Sequence, residues 1–110
     1  MKLPGFECAF VDAEKVAGYC LNAGHEEGRH KARVFSAALG IGQADAGWLR
    51  DCFLEGIARN EAMEQEPSPY GRRFVVDLEI CHGLRCAMVR TAWILRNGEP
   101  CPRLVSCYVL

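Results

Sequence analysis

A chain of 110 residues is the usual size of one domain, and half of its residues are apolar, so a core can form without cross-links. The net charge of −1, from 13 basic and 14 acidic residues, argues against sequence-independent binding of long nucleic acid, which needs a strongly basic surface. No apolar run approaches the roughly 18 residues of a membrane helix. Met1-Lys2-Leu3-Pro4-Gly5 lacks the apolar stretch and small-residue cleavage site of a signal peptide, so a cytoplasmic location without membrane association is expected.

In chain order, Phe6 to Val11 is a short apolar run that reads as an edge strand or an extended arm. Asp12 follows as a natural N-cap, because its carboxylate can accept from the free amides of the next turn. A first helix is expected from about Ala13 to Leu21, with Val16, Ala17, Cys20 and Leu21 on one face, ending at Asn22-Ala23-Gly24. After a polar loop, a second helix starts near Gly28 or Arg29 and reaches Leu39, with Ala32, Phe35 and Leu39 as its apolar stripe. Gly40-Ile41-Gly42 breaks it. A third helix covers about Ala44 to Arg59, and Asn60 to Gly71 reads as a polar loop with Pro67 and Pro69.

The apolar period then switches from 3.6 to 2. Phe74, Val76, Leu78 and Ile80 alternate with Val75, Asp77 and Glu79, and Gly83 suits the first central position of a type II′ hairpin turn. With Gly83-Leu84 as the loop, position 80 faces 87, 78 faces 89, 76 faces 91 and 74 faces 93. That register places Phe74, Val76, Leu78, Ile80, Ala87, Val89, Thr91 and Trp93 on one buried face. Asp77 falls opposite Arg90, and Cys81 opposite Cys86. Asn97-Gly98 and two prolines make the next turn. A last strand, Arg103 to Val109, would send Val105, Cys107 and Val109 to the core, and Leu104, Ser106 and Tyr108 to the face bearing Arg90. The expected fold is α+β, a single domain in which about three N-terminal helices cover one face of a C-terminal antiparallel sheet of three or four strands. Trp93 and Trp48 are expected in its core.

Seven cysteines form no C-x-x-C and no Cys/His cluster at zinc spacing, and His25, His30 and His82 are not at metal spacing, so no metal is expected. Cys8, Cys20, Cys52 and Cys107 lie in apolar segments and read as small core residues in a reducing compartment. Cys81 and Cys86 would bond across the hairpin if oxidised, but two thiols are expected in the cytosol. There is no nucleotide-binding glycine loop and no G-x-S-x-G elbow, and no cofactor is expected.

One constellation carries chemistry. Arg90, Ser106, Tyr108 and Arg103 gather on the open face of the sheet, and Arg29, His30, Lys31 and Arg33 crowd the start of the second helix. A helix N-terminus with such side chains suits a phosphate. Metal-free RNA cleavage needs a base for the 2′-hydroxyl, an acid for the leaving oxygen and cations for the phosphorane. His30 would be base or acid, Arg90 and Lys31 the cations, and Tyr108 and Ser106 would orient the phosphate or relay a proton. A plain cross-strand ion pair of Arg90 with Asp77, and solvated roles for His30 and Lys31, are the structural alternatives.

Gly28-Arg29-His30-Lys31-Ala32-Arg33-Val34-Phe35, Tyr70-Gly71-Arg72-Arg73-Phe74, Arg90-Thr91-Ala92-Trp93-Ile94 and Pro102-Arg103-Leu104-Val105-Ser106-Cys107-Tyr108 resemble a bacterial domain family of unknown function. The resemblance runs from about Val11 to Leu110. Members of that family are similar to the C-terminal modules of polymorphic toxins and to small proteins of toxin–antitoxin-like pairs, and their order of elements looks like the barnase/colicin/RelE-like ribonuclease fold. The resemblance implies a role for Lys31, Arg90, Thr91, Arg103, Ser106 and Tyr108, an RNA substrate and a small cognate antitoxin or immunity protein. The competing expectation is a non-enzymatic partner-binding subunit of such a pair.

Overall fold

The computed structural model describes residues 1–110. Its three helices come first, and a four-stranded antiparallel sheet of order β1-β2-β3-β4 follows. The helices are α1 (Ala13–Lys15, running on into a π-helical stretch, Val16–Cys20), α2 (Arg29–Leu39) and α3 (Ala46–Arg59). The strands are β1 (Ala62–Ser68), β2 (Gly71–His82), β3 (Arg85–Arg96) and β4 (Arg103–Val109). No helix is long and apolar enough to cross a membrane.

Local chemistry sets the helix ends. The Asp12 carboxylate accepts from the Glu14 and Lys15 amides at 3.0 and 3.3 Å, which starts α1. Gly40 ends α2 in the left-handed region at φ 69°, a conformation that a side chain would disfavour. Arg85, at the tip of the hairpin, donates to the Ser36 and Ala37 carbonyls of the last turn of α2, where a cation suits the helix dipole.

The β2–β3 hairpin is continuous, with Phe74 opposite Trp93, Leu78 opposite Val89, Asp77 opposite Arg90 and Cys81 opposite Cys86. Gly83 takes φ 62° in its two-residue turn, as the type II′ reading requires. Phe74, Val76, Leu78, Ile80, Val89 and Trp93 join Phe35 and Leu39 of α2 and Leu49, Phe53 and Ile57 of α3 in one core cluster. Thr91 is the one buried polar side chain. Its hydroxyl donates to the Val76 carbonyl at 2.7 Å and accepts from the Trp93 indole at 2.8 Å, so neither polar group is stranded. Gly56 lies where α3 meets β2, and a Cβ there would crowd the Leu78 methyls at 2.8 and 2.9 Å.

Several expectations are corrected. The stretch from Asn60 to Gly71 is not a loop but holds β1, which pairs with β2 from Ala62–Val76 to Gln65–Arg73. Only Ala62 of this strand is buried, so no apolar alternation marks it, and the pairing slips before Ser68, beside Pro67. In β4, a second slip between Ala92 and Trp93 puts Ser106 opposite Ala92 and Leu104 opposite Trp93. Val105 is the extra residue of this bulge and is 58% exposed, whereas Leu104 packs against the core, the reverse of what plain alternation implies. Phe6–Cys8 is a 3-10 turn, and only Phe10 bridges to Arg103 at the sheet edge. Trp48 is half-buried, its ring edge-on to His82. Cys8 is exposed rather than core, and it is bonded to Cys101. Cys81 and Cys86 form a disulfide rather than two thiols, and Cys20, Cys52 and Cys107 are free.

Candidate functional site

The site lies where the end of the first helix, the first turn of α2 and strand β4 meet. After Lys15 the helix widens to π geometry, and the Leu21 amide donates back to the Val16 carbonyl at 3.0 Å. This brings Tyr19 against the start of α2. Gly28 permits the approach, because a Cβ there would overlap the Tyr19 carbonyl oxygen. The His25 ring fixes the junction. It packs edge-on to Tyr19 at 4.9 Å, and its Nδ1 accepts from the Glu27 and Gly28 amides at 3.1 and 3.0 Å. Those are amides of the kind a phosphate would use at a helix start, so the anion-binding capacity of this terminus is partly taken by an internal ligand.

Lys31 follows, half-buried on the first turn of α2. Its Nζ donates to Ser106 Oγ at 2.8 Å and lies 5.4 Å from the Tyr19 ring centre and 5.7 Å from that of Tyr108. Two aromatic faces and a hydroxyl hold this ammonium, and it forms no salt bridge with a carboxylate. Around it is a cleft of about 240 Å³, lined among others by Asp12, Lys15, Tyr19, Cys20 and Ser106. Asp12 uses Oδ1 for the helix cap and leaves Oδ2 unengaged. The Cys107 thiol beside it lowers the Cys20 thiol below the ordinary thiol range, against the effect of burial; the Cys107 N–H and the Lys31 charge act in the same direction.

Ser106 and Tyr108, two apart and both beyond the β4 bulge, share one side of the strand, with Tyr108 directly opposite Arg90. Arg90 is held in a bidentate pair by Asp77, at 2.8 and 2.9 Å. Asp77 and then Tyr108 raise the guanidinium above its ordinary range, and the same pair lowers the Asp77 carboxyl. Of the residues singled out in the sequence, Lys31, Ser106 and Tyr108 therefore come together, with Arg90 joined to them through Tyr108. Arg103 lies further along β4, its Nε donating to Glu99 at 3.2 Å. Arg29 and His30 are exposed and outside the cleft lining. Thr91 is fully buried among core residues and does not reach the cleft.

Asp12, Lys15, Tyr19 and Cys20 complete the site and were not among the sequence candidates. Asp12 was readable only as a helix cap. No group of His, Cys, Asp and Glu side chains is placed to hold a metal ion. No curated protein and no solved structure matches the chain. A family does match, over residues 2–110, and the chain belongs to it: the domain of unknown function DUF6883.

Proposed function

We propose that this domain is a small RNA-cleaving module of the toxin type, with the Lys31–Ser106 cleft as its catalytic centre. The observation that carries the reading is the Lys31 ammonium, fixed on Ser106 Oγ between two tyrosine rings with no carboxylate to neutralise it. Such a cation suits a phosphate whose charge grows in the transition state. In this reading the 2′-oxygen attacks the adjacent phosphorus and the bond to the 5′-oxygen breaks, leaving a 2′,3′-cyclic phosphate and a 5′-hydroxyl. Asp12, the carboxylate within the cleft, is a better-placed base for the 2′-proton than the exposed His30. Lys31 stabilises the phosphorane and gives the leaving oxygen its proton, while Ser106 and Tyr108 orient the phosphate. Arg90 lies opposite Tyr108 on β3, its charge matched by Asp77. Phe35, Leu39, Leu49 and Phe53 of the helices join Trp93 in the core, and on the opposite face of the sheet Tyr108 is exposed and Arg90 half-buried, which suits access by a substrate.

The test is cleavage of a fluorescent single-stranded RNA by purified protein, together with growth on induced expression. Wild type should cleave and arrest growth. Lys31→Ala should lose about a hundredfold or more in rate, the contribution typical of a proton-transfer group. Intact RNA after prolonged incubation with folded wild type would sink the reading.

One observation favours a second reading, a non-enzymatic subunit that binds a small antitoxin or immunity partner. Phe10, Val105 and Leu110 are 53, 58 and 57% exposed on or beside β4. A toxin would present the same surface to its cognate inhibitor, so the cleavage assay separates the two.

A further inference from the structure

A second and larger groove adjoins the Lys31 cleft. It has a volume of about 720 Å³ and shares Asp12, Lys15, Leu104 and Val105 with the cleft. From there it runs past Phe10 and Arg103 to Tyr70 and Arg96.

Three features of this groove point to one ligand. The first is aromatic exposure. Phe10, Tyr70 and Tyr108 are the exposed aromatic side chains of the protein, at 53, 74 and 36%. Phe10 and Tyr70 line the groove, and Tyr108 adjoins the cleft at Lys31. The second is charge. Lys15 and Arg96 line the groove without a carboxylate partner, and Lys31 continues the series in the cleft. Asp12 and Glu99 also line the groove, Glu99 paired with Arg103, so its three cations outnumber its carboxylates by one on a chain of net charge −1. The third is rigidity. The Tyr70 amide donates to Ser68 Oγ at 3.2 Å, its carbonyl accepts from the Asn97 amide at 2.9 Å, and Asn97 Nδ2 donates to the Pro69 carbonyl at 2.9 Å. The Phe10 backbone is held from both sides by the Pro102 carbonyl and the Leu104 amide. Both rings therefore stand in solvent on fixed backbone, where a ligand would lose little freedom of theirs on binding.

We propose that this groove binds the single-stranded stretch of RNA that flanks the scissile phosphate, stacking bases on Phe10 and Tyr70 and pairing its phosphates with Lys15 and Arg96. This assignment rests on the RNA reading of the Lys31 cleft. Single-strand recognition combines a cationic backbone track with aromatic platforms, and both are present here. A duplex would keep its bases stacked on one another and leave the rings without a partner. Arg103 lies 5.9 Å from the Phe10 ring centre and backs that ring with a cation.

The experiment measures affinity of the intact protein for a 2′-O-methyl oligoribonucleotide of about eight residues, a length within the range of single-strand binding sites. Such a strand has no 2′-hydroxyl to attack, so binding is read apart from cleavage. Phe10→Ala and Tyr70→Ala should each weaken binding about tenfold, the worth of one stacked base. Arg96→Gln should flatten the salt dependence by about 0.7 in the logarithmic slope, the loss of one single-strand phosphate contact. Arg59→Gln, on an exposed residue in the last turn of α3, should bind as wild type. Melting curves of all four variants confirm that each is folded. Tight binding that depends on Tyr70 and Arg96, in a protein that cleaves nothing, would uphold the groove and overturn the cleavage mechanism. Cleavage that proceeds in a protein whose binding ignores both residues, or that prefers a duplex, would overturn the groove and leave the cleft.

Discussion

The central hairpin and the edge strand β4 obey different rules. Across β2 and β3 the pairing runs from Gly71–Arg96 to His82–Arg85 without a slip, and side-chain parity decides what is buried. In β4 the pairing slips once, between Ala92 and Trp93. Leu104 and Ser106, on either side of that slip, line the Lys31 cleft, while Cys107 stays in the core. The regular part of the sheet carries the buried core, and the irregular part borders the candidate cleft, the kind of place where bulges tend to occur. Changes in the hairpin should therefore move stability, and changes at the β4 edge should move function.

The sharpest separation comes from Lys31. On the proposed RNA-cleaving function, Lys31→Ala should slow cleavage about a hundredfold or more, while the melting temperature barely changes, since an exchanged half-buried lysine leaves no apolar cavity. A large drop in melting temperature with unchanged activity would reverse the assignment of roles. In the hairpin, Leu78→Ala should cost about 2–5 kcal/mol in denaturant unfolding, because Leu78 is 1% exposed and fills the contact with Gly56. Thr91→Val keeps the shape but strands the Trp93 indole N–H, and should cost about 1–3 kcal/mol. A neutral result there would mean that the Thr91 hydroxyl is not the indole's partner.

Two smaller effects refine the comparison. The Arg90 guanidinium lowers the Asp77 carboxyl, so this pair stabilises the fold above the ordinary carboxylate range, and the contribution is lost as pH falls through the lowered value. Asp77→Asn should flatten the acid limb of the stability profile by up to about 1 kcal/mol, a modest figure because both side chains are partly solvated. An unchanged acid limb would show that the pair is not formed in solution. Val105→Asp should cost less than about 0.5 kcal/mol, since the bulge turns that side chain to solvent. A loss of several kcal/mol would restore the unbroken alternation and remove the bulge.

The same division explains what could be read from the sequence. The hairpin register followed from one glycine in a turn and from parity, because both rules are local. The ends of α2 followed from Gly28 and Gly40, and the start of α1 from Asp12. Strand β1 stayed hidden because an edge strand with exposed side chains carries no apolar period to detect. Leu104 and Val105 were exchanged because parity counting fails across an unannounced extra residue. Lys31 and Ser106 stand out as residue types, but their contact joins positions 75 residues apart. The link between Cys8 and Cys101 was equally out of reach, since seven cysteines allow many pairings and only the folded chain selects among them.

That link has a consequence for the covalent integrity of the molecule. Cys8 and Cys101 are separated by 93 positions, so the bond turns almost the whole chain into a ring with two short tails. Closing a loop of that length lowers the entropy of the unfolded chain by an amount worth roughly 4–5 kcal/mol at most in a loop-closure picture. It also changes what a protease can do. A single cut anywhere between the two cysteines opens the ring without releasing a fragment, so the nicked product keeps both halves until a reductant divides them.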